Sequence, residues 1–259
     1  MTNNPNNYKT ILITGASAGI GEAFAYKFAE AGFNLILLAR RKDKLESLKK
    51  ALLEKFKVNI DVFESDVRSY KKLETLVNEN IEIFEKTDIL VNNAGLAAGL
   101  EKIQDGKLDN WERMLDTNVK GLLYISRLIL PLLIKKANGL VINISSIAGR
   151  EVYPSGNVYC ASKAAVRTLS KSMTIDLNGT GVKVCNIDPG MVETEFSLVR
   201  FDWDTEKAKK VYNGFTPLTG EDIANTGLWV ANLPKHVNIQ DILITPTDQA
   251  TATITNRKL

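Results

Sequence analysis

Tyr159 and Lys163 stand four residues apart in Tyr159-Cys160-Ala161-Ser162-Lys163, inside a segment of helical period. On a helix that spacing puts a phenol and an ammonium on one face. A phenol with an ordinary pKa of about 10 is a poor base at neutral pH, and lowering it by about three units takes roughly 4 kcal/mol. A cation about 4 Å away supplies around that amount at an effective dielectric of 20. Lys163 is therefore a large enough effect to let Tyr159 accept a proton. Ser146 lies thirteen residues before the tyrosine, at the end of a predicted strand. Its hydroxyl can hydrogen-bond an oxygen on which charge develops. A base, its cation and an oxygen donor are what removal of a hydride from an alcohol requires.

A hydride needs an acceptor, and Thr14-Gly15-Ala16-Ser17-Ala18-Gly19-Ile20-Gly21 follows the first apolar run and opens the first helical pattern. Glycines at such a turn let the backbone approach a pyrophosphate, while free N–H groups and the helix dipole stabilise its charge. The second strand ends Leu38-Ala39-Arg40-Arg41, where a site for NAD places a carboxylate. Two guanidinium groups there suit a 2′-phosphate, so the expected cofactor is NADP. Asp66, after the third strand, can accept from the adenine amino group or cap the next turn.

Other chemistries lack their residues. The single histidine, His236, lies in a Pro-containing loop far from the serines, no G-x-S-x-G elbow is present, and one His with Cys160 and Cys185 makes no zinc site. Lys plus Arg (33) exceeds Asp plus Glu (30) by three without a block of like charge, so no nucleic-acid partner is expected. The Asn-rich stretch Met1 to Asn7 has no apolar core of a signal peptide and reads as a disordered start. Apolar runs such as Gly121 to Ile134 are broken by Ser126, Arg127 and Pro131, so no membrane span is expected. Two cysteines without a disulfide framework suit a cytoplasmic protein.

The elements that must position these groups alternate. Strand-length runs occupy Thr10 to Ile13, Asn34 to Ala39, Asn59 to Phe63, Ile89 to Val91, Leu140 to Ile144, Val182 to Ile187 and Ile239 to Ile244. Helical patterns fill Gly19 to Ala31, Lys42 to Phe56, Tyr70 to Phe84, Asn110 to Lys136, Asn157 to Asn178 and Gly220 to Asn232. This predicts an α/β fold, doubly wound, three layers deep, with a seven-stranded parallel sheet in one domain over residues 1–259. Val166, Leu169, Met173 and Leu177 form one helix face, for core or subunit contact. Residues 190–217 lack a strand pattern and are long for a connection, a candidate lid over substrate.

With these parts assembled, the chain resembles the short-chain dehydrogenase/reductase family from Lys9 to about Pro246. The resemblance is carried also by Asn92-Asn93-Ala94-Gly95, Asn118, Asn143-Ile144-Ser145-Ser146 and Pro189-Gly190-Met191-Val192-Glu193-Thr194. It implies a Rossmann-type fold and catalysis by Ser146, Tyr159 and Lys163, with Ser145 as the alternative serine. Asn118 would hold a water through which Lys163 passes protons. Cofactor contacts would come from Gly15, Ser17, Gly19, Ile20, Gly21, Arg40, Arg41, Asp66 and Val67. Asn93, Ala94 and Gly95 would shape the adenosine side, and Pro189, Gly190, Val192 and Thr194 the nicotinamide side, beside Tyr159 and Lys163. Ala18 stands where NADP-dependent members often carry a basic residue, leaving cofactor choice to Arg40 and Arg41. The stretches Thr194 to Phe201 and Leu233 to Ile239 look like those of NADP-dependent 3-hydroxy acid dehydrogenases, acting on serine, allo-threonine and related acids or on the semialdehydes. Arg200 would then pair with the substrate carboxylate, with Arg150 as a weaker candidate. A reductase of larger carbonyl compounds, such as 3-oxoacyl thioesters, shares every catalytic residue. A non-catalytic NADP-binding protein would often lack the Tyr or the Lys. The resemblance also implies a homotetramer built on the fourth and fifth helices.

Overall fold

The computed structural model describes residues 9–258, so the expectation for Met1 to Asn7 lies outside the described residues. Seven strands are present: β1 (Thr10–Thr14), β2 (Asn34–Ala39), β3 (Ile60–Glu64), β4 (Thr87–Asn92), β5 (Gly139–Ile144), β6 (Val182–Pro189) and β7 (Asp241–Ile244). All pair in parallel, in the order β3-β2-β1-β4-β5-β6-β7. The chain winds outward from β1 to β3, returns to β4 beside β1, and then winds the other way. That reversal opens a crevice beyond the strand ends between β1 and β4.

The strands read as continuous apolar runs because both sheet faces are covered. On one side Ile11, Ile13, Leu35, Leu37 and Ile142 pack with Phe24 and Phe28 of α1 (Gly19–Glu30), Leu45 and Leu48 of α2 (Lys42–Lys55) and Ile223 of the last helix. On the other, Leu12, Ile36, Leu38, Leu90 and Val141 meet four further helices. The predicted helix from Tyr70 to Phe84 is two, α3 (Tyr70–Glu79) and α4 (Ile81–Phe84). Asn80 separates them; its side chain donates to the Leu76 carbonyl at 2.9 Å, the local competition that makes Asn a poor interior residue.

The predicted long helix is α5 (Leu108–Leu115) and α6 (Leu122–Lys136) joined by a π-helical turn over Asp116–Gly121. By length and composition alone the run Leu108–Lys136, with a mean hydropathy of 1.3, is long and apolar enough to cross a membrane. Its placement is that of a core helix: Leu122, Ile125, Ile129 and Leu133 are buried in the layer with Leu90 and Val141. α7 (Asn157–Asp176) adds Val166 and Met173 to the same layer, so the predicted face is a core face.

Residues 190–217 hold no strand beyond a single bridge from Val192 to Leu218. They carry α8 (Phe196–Arg200) and α9 (Thr205–Lys210) and lead to α10 (Gly220–Ala231).

Candidate active site

Thr14, the last residue of β1, stitches the crevice together. Its hydroxyl donates to the Val91 carbonyl and accepts from the amides of Asn93 (3.0 Å) and Ala94 (3.1 Å). Asn93 answers through its amide, which donates to the carbonyls of Thr14 (2.9 Å) and Gly15 (3.2 Å). The glycine turn is thus pinned to the end of β4. Gly15 has φ +67°, and a Cβ there would lie 2.9 Å from the Ala94 Cα, so both the dihedral and the close approach require glycine. α1 begins at Ala18 with no side-chain cap, which leaves its first amides as donors facing the crevice.

A cleft of about 470 Å³ runs across the strand ends from Arg40 to Phe196. Its walls include every residue expected at the cofactor except Gly21, which is buried behind the turn, where a Cβ would run into the Gly15 carbonyl. Uncapped helix donors, a backbone cradle that a Cβ would fill, and Arg40 exposed in the wall fit a dinucleotide with a further phosphate.

Arg41 is engaged rather than solvated. Its Nε donates to the Ser17 hydroxyl (3.2 Å), one Nη to the Ser17 carbonyl (3.2 Å) and the other to a Glu195 carboxylate oxygen (3.0 Å). Asp66 accepts from the Arg68 amide at 3.0 Å and forms an ion pair with its guanidinium, so the turn-capping alternative is realised. Burial raises the Asp66 carboxyl, but the Arg68 hydrogen bonds outweigh it and hold the group below the usual range.

At the far end of the cleft β5 delivers two serines with different duties. Ser145 donates to the Lys163 carbonyl at 2.8 Å and fastens α7 to the sheet. Ser146 is extended, caps the short turn Ile147–Gly149 by accepting from the Ala148 amide (3.1 Å), and donates to the Pro189 carbonyl (3.4 Å). Of the pair, Ser146 is the one that favours the charged form of Tyr159.

Tyr159 is buried, and burial pushes its hydroxyl above the ordinary range against the opposing pull of the Arg200 charge and the Ser146 hydrogen bond. Lys163 lies 6.0 Å from the ring centroid and donates to the Ile144 carbonyl at 2.9 Å. Burial brings its ammonium down to about 8, with Asp188 resisting. Two cations face the Tyr159 ring, Lys163 and, unforeseen from the helix spacing, Arg200.

Arg200, at the end of α8, sits 4.9 Å from the Tyr159 ring, 5.3 Å from Phe196 and 5.7 Å from Tyr153, and donates to the Tyr153 hydroxyl at 2.7 Å. Its Nε is buried and has no acceptor among the described residues. Arg150 is elsewhere: it is ion-paired with Asp188 and Asp241, which removes it as a partner for substrate.

Asn118 does not line the cleft. Within the π turn its side chain accepts from the Leu96 amide (2.8 Å) and donates to the Leu96 carbonyl (2.9 Å) and the Ser162 hydroxyl (3.0 Å). These bonds occupy the side chain in holding β4's loop, and an expected water would have to use other atoms. Gly95 fills the gap between, since a Cβ there would lie 3.2 Å from Asn118 Oδ1 and 3.3 Å from Lys163 Nζ.

Sequence reading missed Tyr153, Glu195, Phe196 and Trp203. Tyr153 precedes Tyr159 by six residues, a spacing with no helical meaning in a loop. Glu195 and Phe196 adjoin the Pro189 to Thr194 motif, the one available signal.

A parallel, doubly wound sheet with a cleft at its switch point, glycine-cradled at one end and holding Ser146, Tyr159 and Lys163 at the other, defines a dinucleotide-binding fold of the Rossmann type. The chain matches the short chain dehydrogenase family over residues 9–205 and belongs to it. The NADP-dependent 3-hydroxy acid dehydrogenase YdfG of Salmonella typhi is 45% identical over 93% of this chain and 96% of its own. Sulfoacetaldehyde reductase 2 of Chromohalobacter salexigens is 42% identical over 93% of this chain and 95% of its own. The closed form of a serine dehydrogenase complexed with NADP+ superposes with a TM-score of 0.90 at 41% identity, covering 96% of this chain and all of that one.

Proposed function

We propose that this chain is an NADP-dependent oxidoreductase that oxidises short 3-hydroxy acids, of the serine, allo-threonine and 3-hydroxypropionate type, or reduces the corresponding semialdehydes. The observation that carries the substrate class is Arg200, a guanidinium beside the Tyr159 ring with a buried donor left over. A cation next to the reacting hydroxyl recognises a substrate whose other end is an anion. The Salmonella and Chromohalobacter relatives are named for a hydroxy acid and a sulfonated aldehyde, and both names carry such an anion.

NADP, when bound, supplies the hydride acceptor or donor. The amides of the glycine turn hold its diphosphate, and Arg40 with Arg41 its 2′-phosphate. Asp66 and Val67 border the adenine, and Pro189 to Thr194 the nicotinamide side. In oxidation Tyr159, its charged form favoured against burial by the Arg200 guanidinium, would take the substrate's hydroxyl proton, while Ser146 donates to the same substrate oxygen. Lys163, brought down to about 8, exchanges a proton with solvent near neutral pH and supports the charge on Tyr159. We read the protein as a cytoplasmic homotetramer, supported by apolar side chains exposed along the α5 to α7 face (Leu108, Leu115, Leu123 and Ile175) and by two unpaired thiols, Cys160 and Cys185.

Arg200→Ala tests the reading. Loss of a charged hydrogen bond of about 1.5 to 3 kcal/mol lowers kcat/KM for serine or 3-hydroxypropionate about 10- to 150-fold. An uncharged alcohol of similar size should change far less. Equal losses for both substrates would reject Arg200 as the anion's partner.

A further inference from the structure

The cofactor cleft and the α8 helix are tied together by one ion pair, Arg41 to Glu195 at 3.0 Å. Its partners are 154 residues apart in sequence, and each side chain is a little over a third exposed (38% and 37%). Arg41 stands at the end of β2 and holds Ser17 of the glycine turn through two further bonds. Glu195 is the cap residue of α8, whose five residues begin with Phe196 and end with Arg200, both packed on Tyr159. The start of α8 also rests on the turn itself, since a Cβ on Gly19 would meet the Thr194 side chain at 3.2 Å. Glu22 and Lys44 are the other charges facing the pair, and Glu195 repels the Glu22 carboxylate.

We propose that Glu195 is a determinant of cofactor choice. Its carboxylate is a latch that Arg41 gives up to a 2′-phosphate, so NADP frees the first turn of α8 and NAD, having no such phosphate, does not. The inference rests on the reading that Arg41 meets the 2′-phosphate. A phosphate and a carboxylate compete for the same planar fork of donors, and the dianion is the stronger acceptor. Because α8 carries Arg200 at its other end, the exchange connects the adenosine half of the cleft to the substrate's anion. Such coupling is reciprocal, so a bound acid should shift the preference between NADP and NAD.

An ion pair this exposed is worth a few tenths to about 1 kcal/mol. Removing the competitor should therefore tighten NADPH by about 2- to 5-fold. The experiment titrates purified wild-type, E195Q, E195A and R41A proteins with NADPH and with NADH by fluorescence, and follows amide hydrogen exchange across Glu195–Arg200 at saturation with each. Expected are tighter NADPH and unchanged NADH in E195Q and E195A. The exchange difference between the two cofactors should be present in the wild type and absent in both variants. R41A should lower the preference for NADPH. A normal R41A effect with unchanged or weaker NADPH binding in both Glu195 variants would overturn the latch and leave the phosphate site standing. An unchanged preference in R41A would overturn the phosphate site and the latch with it.

Discussion

Burial works on Tyr159 and Lys163 in opposite senses, holding the phenol above its ordinary range and the ammonium below it. Both shifts favour the neutral form. Tyr159→Phe removes the proposed proton acceptor and keeps the ring. Turnover should fall at least about 100-fold with NADP affinity nearly unchanged, which steady-state rates and a binding titration would show. Lys163 makes a separate prediction for stability. A lysine with a folded pKa near 8 binds fewer protons folded than unfolded at higher pH, so its burial penalty is full below about pH 8 and fades toward about pH 10.5. The melting temperature of Lys163→Met relative to wild type, measured without added cofactor, should therefore fall as pH rises from about 7 to 10. A constant offset would contradict the shift. The spacing of Tyr159 and Lys163 made their shared face legible, but not the distance between them. Nor did spacing show that Arg200 would arrive from α8 to act on the same ring.

The π turn over Asp116–Gly121 is the element that sequence period could not reveal, because apolar residues on either side keep a helical spacing through it. Such turns concentrate at functional sites. Here one carries Asn118, whose three side-chain bonds tie α5 and α6 to Leu96 and Ser162. Asn118→Ala leaves those buried partners unsatisfied and should cost about 1 to 3 kcal/mol, a drop of roughly 2 to 12 °C in melting temperature for a chain of this size. Differential scanning calorimetry would measure it; an unchanged Tm would mean that water replaces the side chain. The central strands, by contrast, were legible to within a residue or two, since burial on both faces keeps their runs mostly apolar. β4 was read too short because Thr87 and Asp88 look like loop. In the sheet Asp88 accepts the Thr10 amide at 2.8 Å and pairs with Lys136.

Across the whole molecule, the reversal of strand order brings the glycine turn, the β4 loop and the ends of β5 and β6 to one edge of the sheet, and the cleft follows from that topology. Leu108 and Leu115 of α5 are exposed apolar side chains. Leu115→Glu with Leu108→Glu should shift the proposed tetramer toward smaller species in light scattering, and an unchanged mass would place the interface elsewhere. The central claim concerns chemistry, and initial rates test it most directly. Serine and 3-hydroxypropionate should be oxidised with NADP at a kcat/KM at least about tenfold above that with NAD, the worth of one charged hydrogen bond. An acetoacetyl thioester should be reduced poorly with NADPH. Ready reduction of the thioester with no turnover of either acid would contradict the account.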